Sequence, residues 1–342
     1  MSEEKKTQIL DQENSEDDLV ALDANVQMPV DVFPTKAKRR FRRSHAIWAL
    51  VMLVIYLLGL GSGYGLWGLP SPEEQAAHRQ ETAMADIMAQ VNPAEGYTVP
   101  AHFGHMGPKM AAAGVFDVDE FEQVYQQANQ PLTSEQLIIL KEGSDSPVVF
   151  NKQNAYFLLN YFWAVGLSNK NPLLDSGPIQ QYSEGKVENF ASTGGWSLAK
   201  KPLAEIYSKL PLITLTEAQQ KNLEEAAQAV YRPCCDNPTH FPDCNHGMAM
   251  LGLMELMASQ DATVEEMLEA AKYANAYWYP SQTIEQALFF KSTTGENFQD
   301  VDARQLLGPQ YSSGSGFQAL HAYLAQNDLL PQAPKSNNSC GV

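Results

Sequence analysis

Three of the four cysteines in this 342-residue chain, Cys234, Cys235 and Cys244, crowd into one short stretch running from Tyr231 to Met250. His240 and His246 are interleaved with them, and Met248 and Met250 follow directly. Thiolate, imidazole and thioether are the soft and borderline donors that hold copper or zinc. The predicted ligands are therefore Cys234, Cys235, Cys244 and His246, with His240 or Met248 completing the set. Copper is the preferred ion because Met248 and Met250 lie beside the thiols; zinc is the alternative.

The spacing matches no zinc-finger pairing, no C-x-x-C-H haem attachment and no C-x-x-C exchange motif. Two other outcomes fit the same residues. In an oxidising compartment an even number of cysteines ordinarily forms disulfides. One of Cys234 or Cys235 would then pair with Cys244 and the other with Cys340. A redox-active thiol is the remaining possibility. The methionines have a plain reading too, since Met248, Met250, Met254 and Met257 lie among leucines and alanines, where methionine fills core space.

The elements that must position these residues are helices. A helix over about 216–231 is stopped by Pro233, and a second spans about 244–259 with Asp243 as its expected N-cap. Cys244 and His246 then lie in its first turn, where free amide N–H groups and the dipole favour a thiolate. Cys244 and Met248, like His246 and Met250, are four apart and share a helical face. Pro233, Pro238 and Pro242 are expected to preorganise the loop.

Upstream, residues 1–45 form a polar tail that closes in a basic cluster, Lys36 to Arg43. The tail reads as disordered. Residues 46–68 are an uncharged apolar run with Trp48 and Trp67 near its ends, long enough to span a bilayer. Positive charge before the span places the N-terminus in the cytoplasm, so the expectation is a single-pass signal anchor with residues 69–342 extracytoplasmic. Gly59/Gly63 and Gly61/Gly65 give two G-x-x-x-G spacings, a face for a homodimer or a partner subunit.

Beyond the span the chain reads as all-α, an irregular multi-helix domain. Helices are expected at about 71–90, 117–129, 134–142, 151–166, 263–279, 282–291 and 315–327, that at 134–142 opened by Thr133 and that at 263–279 by a Thr263-to-Glu266 capping box. The segment holding His102, His105, Met106 and Met110 carries Gly104, Gly107 and Pro108, and is expected to be a loop that could supply a second site. Tyr277-Trp278-Tyr279-Pro280 is expected either to join the core or to pack over the cysteine loop.

The chain carries a formal net charge of -17, and residues 1–45 are nearly balanced, with eight Lys/Arg against nine Asp/Glu. The acidic remainder argues against nucleic acid as a partner. No hydrolase elbow, zincin motif, phosphate loop or dinucleotide fingerprint occurs. The reading leans away from an enzyme: a membrane-anchored extracytoplasmic protein binding a soft metal for handling or assembly. The alternatives are a disulfide-bonded scaffold subunit of a membrane complex and a thiol oxidoreductase.

Overall fold

The structure is a computed structural model that describes residues 43–67 and 70–330. The acidic tail, most of the basic cluster and Cys340 lie outside the described residues. The chain divides into two units, residues 1–70 and 71–342.

In the first unit, α1 (Arg43–Trp67) is one continuous helix. Its stretch His45–Gly65 is long and apolar enough to cross a membrane, and none of it is buried within the protein. A Cβ added at Gly59, Gly61, Gly63 or Gly65 would meet nothing within 4 Å.

The second unit begins with α2 (Pro72–Val91), where Ser71 and Glu74 exchange reciprocal capping bonds. Then come β1 (Tyr97–Gly104), α3 (Met106–Ala113), α4 (Val118–Gln127), α5 (Ser134–Lys141) and β2 (Ser144–Phe150). Helix α6 (Ala155–Ser168) is followed by short one-turn helices between residues 172 and 206. Then α7 (Glu217–Ala229), α8 (Asn245–Ser259), α9 (Val264–Trp278), α10 (Pro280–Thr293) and α11 (Gly314–Gln326) complete the unit. Thr133 caps α5, and Thr263 with Glu266 forms the expected box at the start of α9.

Helix accounts for 65% and strand for 6% of the described residues, so the all-α expectation holds for the layout but misses one pair of strands. β1 and β2 pair antiparallel, with Tyr97 opposite Phe150 and Gly104 opposite Ser144. Val99, Ala101 and Phe103 alternate into the core, a period-2 pattern masked in the sequence by Pro100. Pro147 sits likewise in β2. Each strand has a free edge in a two-stranded sheet, which is where a residue without an N–H is tolerated. His102 is thus a strand residue, not part of a loop.

The centre of the unit is the contact between α6 and α8. Residues Gly247 to Ala258 of α8 are all buried. A Cβ at Gly166 would collide with the carbonyl oxygen of Met248, and one at Gly252 with that of Phe162. The two helices therefore approach backbone to backbone, as only glycine permits. Midway along α8, the fully buried Glu255 accepts from Asn171 Nδ2 at 2.7 Å, while its second oxygen has no protein partner. Burial raises its pKa to about 8 against the opposing pull of the nearby Asn169 and Asn171 side chains.

Candidate metal centre

The loop between α7 and α8 is fixed at several points. Val230 O accepts from Thr239 N at 2.8 Å, and Ala227 O accepts from His240 N at 2.9 Å, closing the loop on its own stem. Cys235 O accepts from Gly314 N at 2.9 Å, and Asp236 Oδ1 accepts from Ser315 N at 2.8 Å, tying its tip to the start of α11. Asn275 Nδ2 of α9 donates to Tyr231 O at 3.1 Å. Proline stiffness is thus joined by a set of tertiary hydrogen bonds.

These constraints bring three sulfurs together. Cys234 Sγ lies 3.5 Å from Cys244 Sγ and 3.8 Å from Cys235 Sγ, and all three atoms fall within 4.8 Å of one another. The thiols are unbridged; Cys234 is exposed and the other two half-buried. Metal–thiolate bonds run about 2.3 Å, so three sulfurs around one ion stand roughly 4 Å apart. Little movement separates the observed spacing from that of a three-thiolate site, and the group can hold a metal ion.

Asp243 is not the N-cap of α8. That position belongs to Cys244, whose sulfur accepts from Gly247 N at 3.3 Å. Asp243 instead faces Arg232, with its Oδ1 at 3.4 Å from Nη2. Asp243 Oδ2 accepts from Asn237 Nδ2 at 2.7 Å.

Arg232 is the residue that sequence reasoning missed. It is fully buried, and its Nη2 reaches Cys235 Sγ at 3.2 Å while Nη1 donates to Thr239 Oγ1 at 3.2 Å. Its guanidinium lies against Gly247 in the first turn of α8. A buried cation at the positive end of a helix is unfavourable unless negative charge lies between them. Asp243 and the sulfurs supply it. Burial works against the guanidinium's charge, but Cys244, Cys235 and Cys234 outweigh it and hold the group more firmly protonated than usual.

The sulfurs differ in proton affinity. Contacts with Cys234 and Cys235 push Cys244 well down, helped by the Arg232 charge and the Gly247 N–H and opposed by burial. Cys235 is pushed up by Cys234, by Cys244 and by burial. For Cys234 the Cys235 contact pulls downward, but Cys244 and burial prevail and the net shift is upward. Cys244 is the first to become a thiolate.

The other expected ligands make contacts of their own. Among the described residues, the cluster able to hold an ion contains no histidine. His246 Nδ1 is 2.9 Å from Asn245 Oδ1, and its ring packs 4.5 Å from that of Tyr279 and 6.0 Å from that of Trp278. Burial lowers its pKa to about 4, with Cys244 opposing, so the ring is neutral near pH 7. His240 is half-buried, its affinity lowered by burial against the pull of Glu224. Met248 and Met250 are fully buried in the core of α8. His105 Nδ1 meets Glu142 O at 3.0 Å, and Gln260 clasps the backbone of His102 from both sides.

The aromatic end of α9 does pack over the loop. Tyr279 Oη donates to Cys234 Sγ at 3.0 Å. Two signals for these neighbours stand in the sequence: an arginine two residues before a cysteine pair, and a glycine three residues after the capping cysteine. No known protein family, curated protein or solved structure matches this chain.

Proposed function

We propose that this protein is a membrane-anchored, extracytoplasmic holder of one soft metal ion, acting in metal handling or assembly. The observation that carries the reading is the convergence of Cys234, Cys235 and Cys244 within 4.8 Å beside the buried Arg232. Copper(I) is the ion that suits it best. Thiolate sulfur selects Cu(I), whereas a structural zinc site takes four ligands. Three thiolates on a monovalent ion leave two negative charges, which the buried Arg232 and the positive end of α8 offset, while Asp243 keeps its bond from Asn237. His246, His240 and Met248 then shape and shield the site: His246 walls it with Tyr279, and Met248 seats α8 on α6.

The anchor is α1, with the basic cluster on the cytoplasmic side and the cysteine loop on the other. Its glycine face is the proposed contact for a second copy or a partner subunit. Full-length protein in detergent, reduced and titrated with Cu(I), is expected to bind about one equivalent. Binding no greater than that of a Cys234→Ser/Cys235→Ser/Cys244→Ser variant would remove the proposal.

A second reading rests on the 3.5 Å separation of Cys234 and Cys244. That spacing suits a thiol–disulfide couple, with Cys244 as the attacking thiolate.

A further inference from the structure

The three sulfurs are not equivalent, and the differences point to a direction of traffic. Cys244 is anchored in the first turn of α8 by the Gly247 N–H, and α8 is wedged against α6. Cys235 is held by Arg232 Nη2 at 3.2 Å, and its own carbonyl is fixed by Gly314. Of the three, Cys234 is the exposed one, and among the described residues its thiol meets, outside the sulfur cluster, the phenol of Tyr279 at 3.0 Å.

We propose that Cys234 is the exchange ligand of the site, through which copper(I) passes to and from a thiol-bearing carrier, while Cys235 and Cys244 retain the ion. This rests on the copper(I) reading above. In the release step, an incoming thiolate forms a bond to the copper and the copper–Cys234 bond breaks. Copper stays monovalent throughout, and the proton shed by the incoming thiol goes to the departing Cys234 sulfur. Tyr279 Oη is placed to donate to that sulfur while it is unbound. Two further exchanges, at Cys235 and Cys244, complete the transfer. Loading is the same sequence reversed. Ligand exchange of this kind needs one accessible sulfur, and among the three described sulfurs Cys234 is the exposed one.

The test uses full-length protein in detergent micelles, loaded with Cu(I) and mixed with an excess of acceptor thiol. Glutathione in one arm and a Cys-x-x-Cys peptide in the other separate a small thiol from a paired-cysteine carrier as the source. Cys234→Ser is expected to keep Cu(I) affinity within about tenfold but to slow transfer by about tenfold or more. Cys235→Ser and Cys244→Ser are expected to lose about a hundredfold in affinity. Serine is itself a strong N-cap, so the second of these preserves the start of α8. If Cys234→Ser binds as poorly as Cys244→Ser, or transfers at the unaltered rate, the exchange role is wrong although the metal site stands. If the unsubstituted protein binds no Cu(I), both fall together.

Discussion

Replacing Gly247 by alanine separates the packing described above from ordinary helix behaviour, because the two predict opposite signs. In a generic helix the change is stabilising by about 1 kcal/mol. Here a Cβ at Gly247 would stand 2.7 Å from Arg232 Nη2 and 2.8 Å from Cζ. The guanidinium cannot step aside without leaving Thr239, Cys235 and Asp243, which hold it at 3.2, 3.2 and 3.4 Å. Displacing one member of a buried charged set costs about 3–5 kcal/mol, so the net loss is about 2–4 kcal/mol after the gain in propensity. For a unit of this size that lowers the melting temperature by roughly 5–15 °C. Near-ultraviolet circular dichroism of the full-length chain in detergent follows the loss of the packed aromatic core of the second unit. An Arg232→Met background removes the obstructing group, so the double variant should lose much less than the sum of the single losses. A Gly247→Ala protein that melts higher than the parent, or strictly additive losses, would refute the argument.

Two further outcomes follow from the fold. Glu255 has its pKa raised to about 8 by burial, so between about 4.5 and 8 the folded chain keeps a proton the unfolded chain has released. Stability therefore falls as pH rises through that window, by at most about 3 kcal/mol at pH 7. His246, lowered to about 4, acts in the opposite sense, losing stability as pH falls from about 6.5 toward 4. Glu255→Gln should flatten the alkaline limb of a melting-temperature-versus-pH curve and leave the acid limb in place; an unchanged alkaline limb would count against it. In α1, Gly59→Leu/Gly63→Leu should reduce cross-linked dimer in membranes if that face pairs copies, whereas an unchanged yield points away from it.

The helices were legible because their ends are written locally. Ser71 with Glu74, Thr133 with Gln136 and Thr263 with Glu266 each set a boundary through neighbours three residues apart. The strand pair was hidden because Pro100 and Pro147 demote both runs, and only pairing over long separation rescues them. At the site, clustering in the sequence found the three sulfurs but could not rank their neighbours. Arg232 carries no mark of burial in the sequence, and its packing partner Gly247 stands fifteen positions later. Tyr279 arrives from another helix. Met248 shares a helical face with Cys244, and His246 with Met250, yet a shared face does not fix which way the core lies; the close approach of α6 at Gly166 to α8 at Gly252 decides that.

The glycine seam between α6 and α8 has a consequence for which guests the thiol cluster can take. With no slack behind it, the Cys244 sulfur is a fixed post, and any change in ion radius must be absorbed by the opposite side, where Cys234 and Cys235 ride on a tethered loop. Small and large soft ions would therefore be discriminated by how far that loop can travel before it pulls on its tie to α11. Selectivity in this protein would be tuned from the far end of the chain, by the residues around Gly314 that set the length of the leash.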